Sequence, residues 1–156
     1  MSEVRALTED SVEVSFAIPP ELQDDYDYIP GQYVALRATI DGQEVRRSYS
    51  ICDVPRDGVL RVAIKRDRGG VFSTWANDTL QPGDTMDVMN PQGAFTSKTH
   101  LTGLNNPKAV REEVEKLENP HLVAIAAGSG ITPIMAIAQT VLHSSPDTTC
   151  LLYTSP

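Results

Sequence analysis

The sequence predicts a closed antiparallel β-barrel followed by the start of an α/β unit, on three observations. Short runs of alternating apolar residues recur up to Met89, each bounded by a turn signal such as Pro30-Gly31, Asp41-Gly42 or Gln81 to Asp84. A single segment, Gly69 to Asp78, breaks that pattern with a glycine pair leading into a helical stretch. Beyond Phe95 the chain turns polar, and then carries an uninterrupted apolar run, a glycine turn and an alanine-rich helical pattern. The expected boundaries are a barrel over residues 1–100, a connector with a helix over 101–119, and the opening of an α/β domain over 120–156.

Taken in order, Ser11 to Ile18 alternate strictly, with Val12, Val14, Phe16 and Ile18 on one face of a half-buried strand. Gln32 to Ile40 forms a second strand, and Asp41-Gly42 returns the chain as a third over Gln43 to Cys52. That returning strand ends in R-R-S-Y-S-I-C, where Arg47 and Tyr49, two apart, project from one face. Further strands follow over Val59 to Lys65 and Thr85 to Met89. In G-G-V-F-S-T-W-A-N-D a glycine loop opens into a short helix, whose N-terminus offers free amides and a positive dipole end to an anion. Taken alone, Gly69-Gly70 only turns a corner, and Phe72 and Trp75 are core residues.

Asn106 to Glu118 carries helix signals: Asn106 as N-cap, Pro107 at the first position, and Glu112 and Lys116 four apart. His121 to Ala127 reads as a fully buried strand of the parallel-sheet kind. Gly128 to Pro133 then turns into a helix reaching about Leu142, and Cys150 to Tyr153 begins a second strand. One βαβ unit cannot cover both faces of its sheet, so this region is a fragment of a domain or leans on the barrel.

Composition narrows the function classes. A formal net charge of −8 disfavours a nucleic-acid partner, because nothing is gained from counterion release. An anionic ligand therefore needs a local basic cluster, and Arg46, Arg47, Arg56, Arg61, Lys65, Arg66 and Arg68 are candidates for it. Cys52 and Cys150 make no CxxC pattern, and His100, His121 and His143 are isolated, so no metal site is expected. The start lacks a signal-peptide pattern, and Leu122 to Leu142 is broken by Gly-Ser-Gly and Thr-Pro, which argues against a membrane span. A cytoplasmic, soluble protein is the expectation.

Each motif alone is a weak signal, but their order carries weight. With Y-D-Y-I-P-G-Q-Y-V-A-L-R from Tyr26, R-R-S-Y-S-I-C from Arg46, A-I-K-R-D from Ala63, G-G-V-F-S-T-W-A-N from Gly69 and A-A-G-S-G-I-T-P from Ala126, the chain resembles the ferredoxin–NADP⁺ reductase superfamily. Within it, the likeness is nearest to the reductase subunits of the phenylacetyl-CoA epoxidase type. Reductases of other oxygenases and of flavohaemoglobins, or a flavin-binding fragment without turnover, are the alternatives. The resemblance implies an FAD-binding barrel of the FR type, with NAD(P)H as transient cosubstrate and an oxygenase component as partner of the longer protein.

The resemblance also implies residue roles. Arg47 would pair with the flavin's phosphate, and Tyr49 would stack on its ring; both roles suit a planar permanent cation and an amphipathic plate. Ser48 belongs to the same cofactor strand. Ser50 would offer a hydrogen bond near the reactive nitrogen, making Tyr49 and Ser50 the residues nearest the chemistry. Because an ideal strand points Ser50 away from Tyr49, that role needs a bend there or a backbone contact. Ile64 and Lys65 would line the flavin with backbone, while Gly70, Val71, Phe72 and Ser73 would hold the pyrophosphate. Gly128, Gly130 and Thr132 would belong to the nicotinamide side. Family members continue into further strands and helices and a [2Fe–2S] domain held by four cysteines, so this chain is expected to be a fragment without the cluster.

Overall fold

The computed structural model describes residues 1–56, 58–95, 112, 116, 121–144 and 148–155. The expected connector over 101–119 and its helix from Asn106 to Glu118 lie outside the described residues, apart from Glu112 and Lys116.

Six strands build the first region: β1 (Glu3–Thr8), β2 (Ser11–Ala17), β3 (Tyr33–Ile40), β4 (Gln43–Ser50), β5 (Val59–Lys65) and β6 (Asp87–Val88). They form two antiparallel sheets, ordered β1-β2-β5 and β4-β3-β6. The β2–β5 register sets Val12 opposite Ile64, Val14 opposite Val62 and Phe16 opposite Leu60. All six are buried, so the alternation read in the sequence becomes a continuous apolar face of cross-strand pairs. From the other sheet, Val34, Leu36 and Ile40 enter the same core, together with Ile51. The β3–β4 hairpin turns on Asp41 (φ 51°) and Gly42 (φ 76°), the paired positive φ values of a type I′ turn.

The sequence reading missed β1. Its residues E-V-R-A-L-T are mostly solvent-exposed, which leaves little apolar periodicity to detect. Among the described residues the ladders form two sheets, which meet at two seams. At one seam Ile51 bridges to Val62, and the Cys52 amide donates to Arg61 O at 3.0 Å. At the other, the Gly83 amide donates to Met1 O at 3.0 Å, and the N-terminal ammonium donates to Asp84 O.

Helix α1 (Val71–Thr79) sits against both sheets and buries Phe72, Ser73 and Ala76. Its Asn77 amide group donates to Ile64 O at 3.2 Å and to Ser73 O at 2.8 Å, which fastens the helix to β5.

The second region is β7 (His121–Ala127), a 3₁₀ turn at Gly128–Gly130, α2 (Ile131–Ser144) and β8 (Thr149–Ser155), with β7 and β8 parallel. The expected fully buried strand is corrected here. Ala124 and Ala126 are buried, but Val123 is 68% and Ile125 74% exposed. The buried alanines match the helix, whose Ala136, Ile137, Ala138 and Val141 are also buried, and the alternate face is left to solvent. Among the described residues no helix is long and apolar enough to cross a membrane.

Candidate functional site

The β3–β4 ladder runs without a register shift from Ile40–Gln43 to Tyr33–Ser50. Arg47 therefore stands opposite Leu36, and Tyr49 opposite Val34, on the inner face of the sheet. Ser48 and Ser50, opposite Ala35 and Tyr33, alternate to the other face. The register shows no shift that would turn the Ser50 hydroxyl to Tyr49's side.

Tyr49 is half-buried, and its ring lies 5.7 Å from that of Phe72 at an interplanar angle of 35°. Phe72 in turn meets Trp75 edge-on at 5.5 Å. These contacts bring the first turn of α1 beside the R-x-Y-S strand, although 23 positions separate Tyr49 from Phe72 in the chain. Burial, then the nearby Asp67 carboxylate, pushes the Tyr49 phenol up to about 12, against the lowering effect of Arg47. The ring thus stays neutral at any physiological pH.

The α1 N-terminus has Gly70 as N-cap (φ −74°, ψ 112°) and no side chain capping it. The Thr74 amide makes the first helical bond, to Gly70 O at 3.0 Å, so the amides of Val71, Phe72 and Ser73 precede the hydrogen-bonded ladder. The Ser73 hydroxyl is already engaged, accepting the Asp67 amide at 3.0 Å. A Cβ on Gly70 would stand 2.5 Å from Ser73 Oγ and 2.9 Å from Asp67 Cβ, so only glycine lets the loop fold this tightly.

The basic cluster read from the sequence is narrowed by the fold. Arg56 and Arg61 pair with Asp53, Lys65 with Asp10, and Arg66 with Asp78. Arg46 directs a guanidinium nitrogen at Met89 Sδ, 2.7 Å away. Arg47 donates to Arg46 O at 2.7 Å, and like Arg68 it has no carboxylate partner among the described residues. A guanidinium without a carboxylate partner among the described residues, uncapped helix amides and a half-buried aromatic plate fit a ligand with a phosphate and a flat ring. Ile64 is buried beside them in the core, and Lys65 follows it with its side chain in solvent. An open cleft of about 420 Å³, lined by Arg37, Thr39, Glu44, Trp75 and Asp87 among others, shares none of these site residues.

Gly128 takes a positive φ of 52°, and neither Gly128 nor Gly130 has an atom within 4 Å of where a Cβ would stand. Thr132 donates its hydroxyl to Ser129 O at 2.9 Å, closing the turn. Among the described residues no hydrogen bond, ion pair or ring contact joins Gly128, Gly130 or Thr132 to β4 or α1. The fold thus brings Arg47, Tyr49 and the start of α1 together. Sequence reading missed Asp67, whose amide fixes Ser73. It also missed Gln32, whose Oε1 accepts the Ile29 amide at 2.8 Å and whose carbonyl accepts the Ile51 amide at 2.9 Å. The Gln32 of P-G-Q-Y was a polar residue at a strand entry, and that was its only signal.

Known proteins resemble this chain in sequence and fold. Over 147 residues the chain is 40% identical to one component of the 1,2-phenylacetyl-CoA epoxidase of Escherichia coli (strain K12), covering 94% of this chain and 37% of that protein. It is 33% identical over 148 residues to the ferredoxin reductase component of 3-ketosteroid-9-alpha-monooxygenase from Rhodococcus rhodochrous, with the same two coverages. The chain thus spans a little over a third of the length of these relatives. The solved structure of Amycolatopsis cytochrome P450 reductase superposes with a TM-score of 0.74 at 27% identity, over 98% of this chain and 40% of the other. The model of the oxidoreductase FAD-binding domain matches residues 1–97, which hold the strand with Arg47 and Tyr49 and the helix N-terminus described above, and the chain belongs to that family.

Proposed function

We propose that this chain is the FAD-binding electron-transfer module of an NAD(P)H-dependent oxygenase reductase, passing electrons from NAD(P)H through FAD toward an iron–sulfur domain of a longer protein. In that reading residues 1–100 are the flavin domain, 101–119 the connector and 120–156 the opening of the nicotinamide domain. When bound, FAD accepts a hydride as an electron pair and releases electrons singly. Arg47 and the amides of Val71, Phe72 and Ser73 bind its phosphates, Gly70 lets them approach the main chain, and Tyr49 orients the ring by stacking. Ser48 and Ser50 flank that plate, with Ser50 acting through its backbone, and Ile64 and Lys65 line the ring with main chain. Gly128, Gly130 and Thr132 receive the nicotinamide side of the dinucleotide, where a glycine turn at a helix start suits a phosphate.

The Tyr49–Phe72 contact carries this reading, because it joins the cation-and-plate strand to the uncapped helix that would complete a dinucleotide-sized flavin site. Likeness along nearly the whole chain to components of two oxygenase systems supports the partner class. The test is reconstitution. Purified chain should turn yellow with FAD, and acid extraction followed by chromatography should return FAD in stoichiometric amount. Bound FMN in that amount, or no flavin at all, would refute the assignment.

A further inference from the structure

Asp53 is the one carboxylate among the buried residues described, and it sits where the chain leaves β4 and crosses to β5. Its Oδ2 accepts from Arg61 Nη1 at 2.8 Å and lies 3.3 Å from Arg56 Nε, while its Oδ1 accepts the Val54 amide at 2.8 Å. Arg61 Nε reaches on to Ser15 Oγ on β2 at 3.1 Å. From the opposite side the Tyr28 hydroxyl donates to Val54 O at 2.8 Å and lies 3.2 Å from Asp53 O. The crossing segment is thus held by side chains from three separate stretches of chain.

An ion pair taken out of water returns little net stability, because desolvation offsets most of its attraction. Its structural return is geometric. Ladder pairing between β4 and β5 is limited to the Ile51–Val62 bridge and the neighbouring Cys52 amide bond. Yet β4 carries Arg47, Tyr49 and Ser50, and β5 carries Ile64 and Lys65, the two walls of the flavin site proposed above. With so short a ladder among the described residues, side-chain contacts share in setting the spacing of those walls. We propose that the Asp53–Arg61 pair is a positioning device for the flavin site, locking β4 to β5 at the seam without touching the ligand. The inference rests on the flavin reading of Tyr49 and Arg47.

The experiment compares the full chain with Asp53→Asn and Arg61→Gln, singly and together, by FAD titration and by the visible spectrum and midpoint potential at saturating FAD. Each single variant should bind FAD on the order of tenfold less tightly. The double variant should lose less than the product of the two, because both substitutions break the same Asp53–Arg61 contact. At saturation the potential and spectrum of Asp53→Asn should differ from wild type, which a loss of stability alone would not produce. If Asp53→Asn does not fold, Arg61→Lys decides. It keeps the charge but gives up the second arm to Ser15, and the same spectral and potential shifts are expected in smaller measure. Folded variants that match wild type in affinity, spectrum and potential would overturn the positioning role alone. A wild-type chain that binds no FAD would overturn the flavin reading, and this role with it.

Discussion

Residues 1–95 and residues 121–155 use the same apolar vocabulary with opposite results. In the first region Val14, Val34, Leu36, Ile51, Val62 and Ile64 are sealed between two sheets and a helix. In the second, Val123, Ile125, Leu151 and Tyr153 share one sheet face, and each is 65–74% exposed. The difference is one of layers. A two-stranded sheet with a single helix buries one face, whereas two sheets facing each other bury both inner faces. The flavin half-site proposed above lies in the region whose core is sealed on both inner faces, and the glycine turn stands on the region with one face in solvent. An uncovered apolar face of this kind also invites self-association.

The comparison breaks most visibly in turnover. Hydride transfer requires the nicotinamide held at near-attack distance, with binding energy from the adenosine end to hold it there. The α/β unit of this chain offers one glycine turn for that task. Steady-state NADH and NADPH oxidation with ferricyanide, on flavin-loaded chain, should fall at least about 100-fold below that of an intact reductase. Comparable turnover would mean that the visible half of the nicotinamide site suffices.

Core substitutions sharpen the contrast next. Phe72→Ala removes a ring that is 1% exposed and packs on both Tyr49 and Trp75, and should cost about 3–5 kcal/mol in urea unfolding. Ile125→Ala, at 74% exposure, should stay within about 0.5 kcal/mol of wild type and reduce light scattering by the chain. Equal costs at the two positions would erase the distinction between the regions.

Ligand-site substitutions come third. Tyr49→Ala should weaken FAD binding by about 1–3 kcal/mol through the lost plate, by analogy with base stacking. Arg47→Ala should cost roughly 1.5–3 kcal/mol through the lost charge-assisted bond. Unchanged affinity in both would remove the site from β4.

The smallest effect expected is on alkaline stability. Burial, with Glu13 and Asp53 adding to it, pushes the Cys52 thiol up to about 12 from an ordinary 9, and Tyr49 is raised from 10 to a similar value. Above pH 9 the unfolded chain therefore sheds protons that the folded chain retains, so the folded state binds more protons and stability falls as pH rises toward 12. Urea midpoints measured from about pH 8 to 11 should decline, and Cys52→Ala should flatten the decline. A flat profile in wild type would contradict the buried placement of both groups.

Much of this molecule was legible in local sequence, where physics is local. Val12, Val14 and Phe16 alternate because a half-buried strand exposes every second residue to one core. Asp41-Gly42 announces its hairpin because few other pairs tolerate two positive φ values. Gly70 announces the approach of chain to chain at the helix start. What stayed hidden depends on contacts between distant segments. β1 lies on a sheet edge with a mostly wet face, so its sequence lacks the contrast that marks a buried strand. The Tyr49–Phe72 contact follows from how α1 packs on the sheets, and which arginines of the stretch find a carboxylate among the described residues, as Arg56, Arg61 and Arg66 do, follows from how the strands and loops come together. Residue types and turns come from near-neighbour sterics and solvation; the partner each charge finds is settled only when packing brings the strands together.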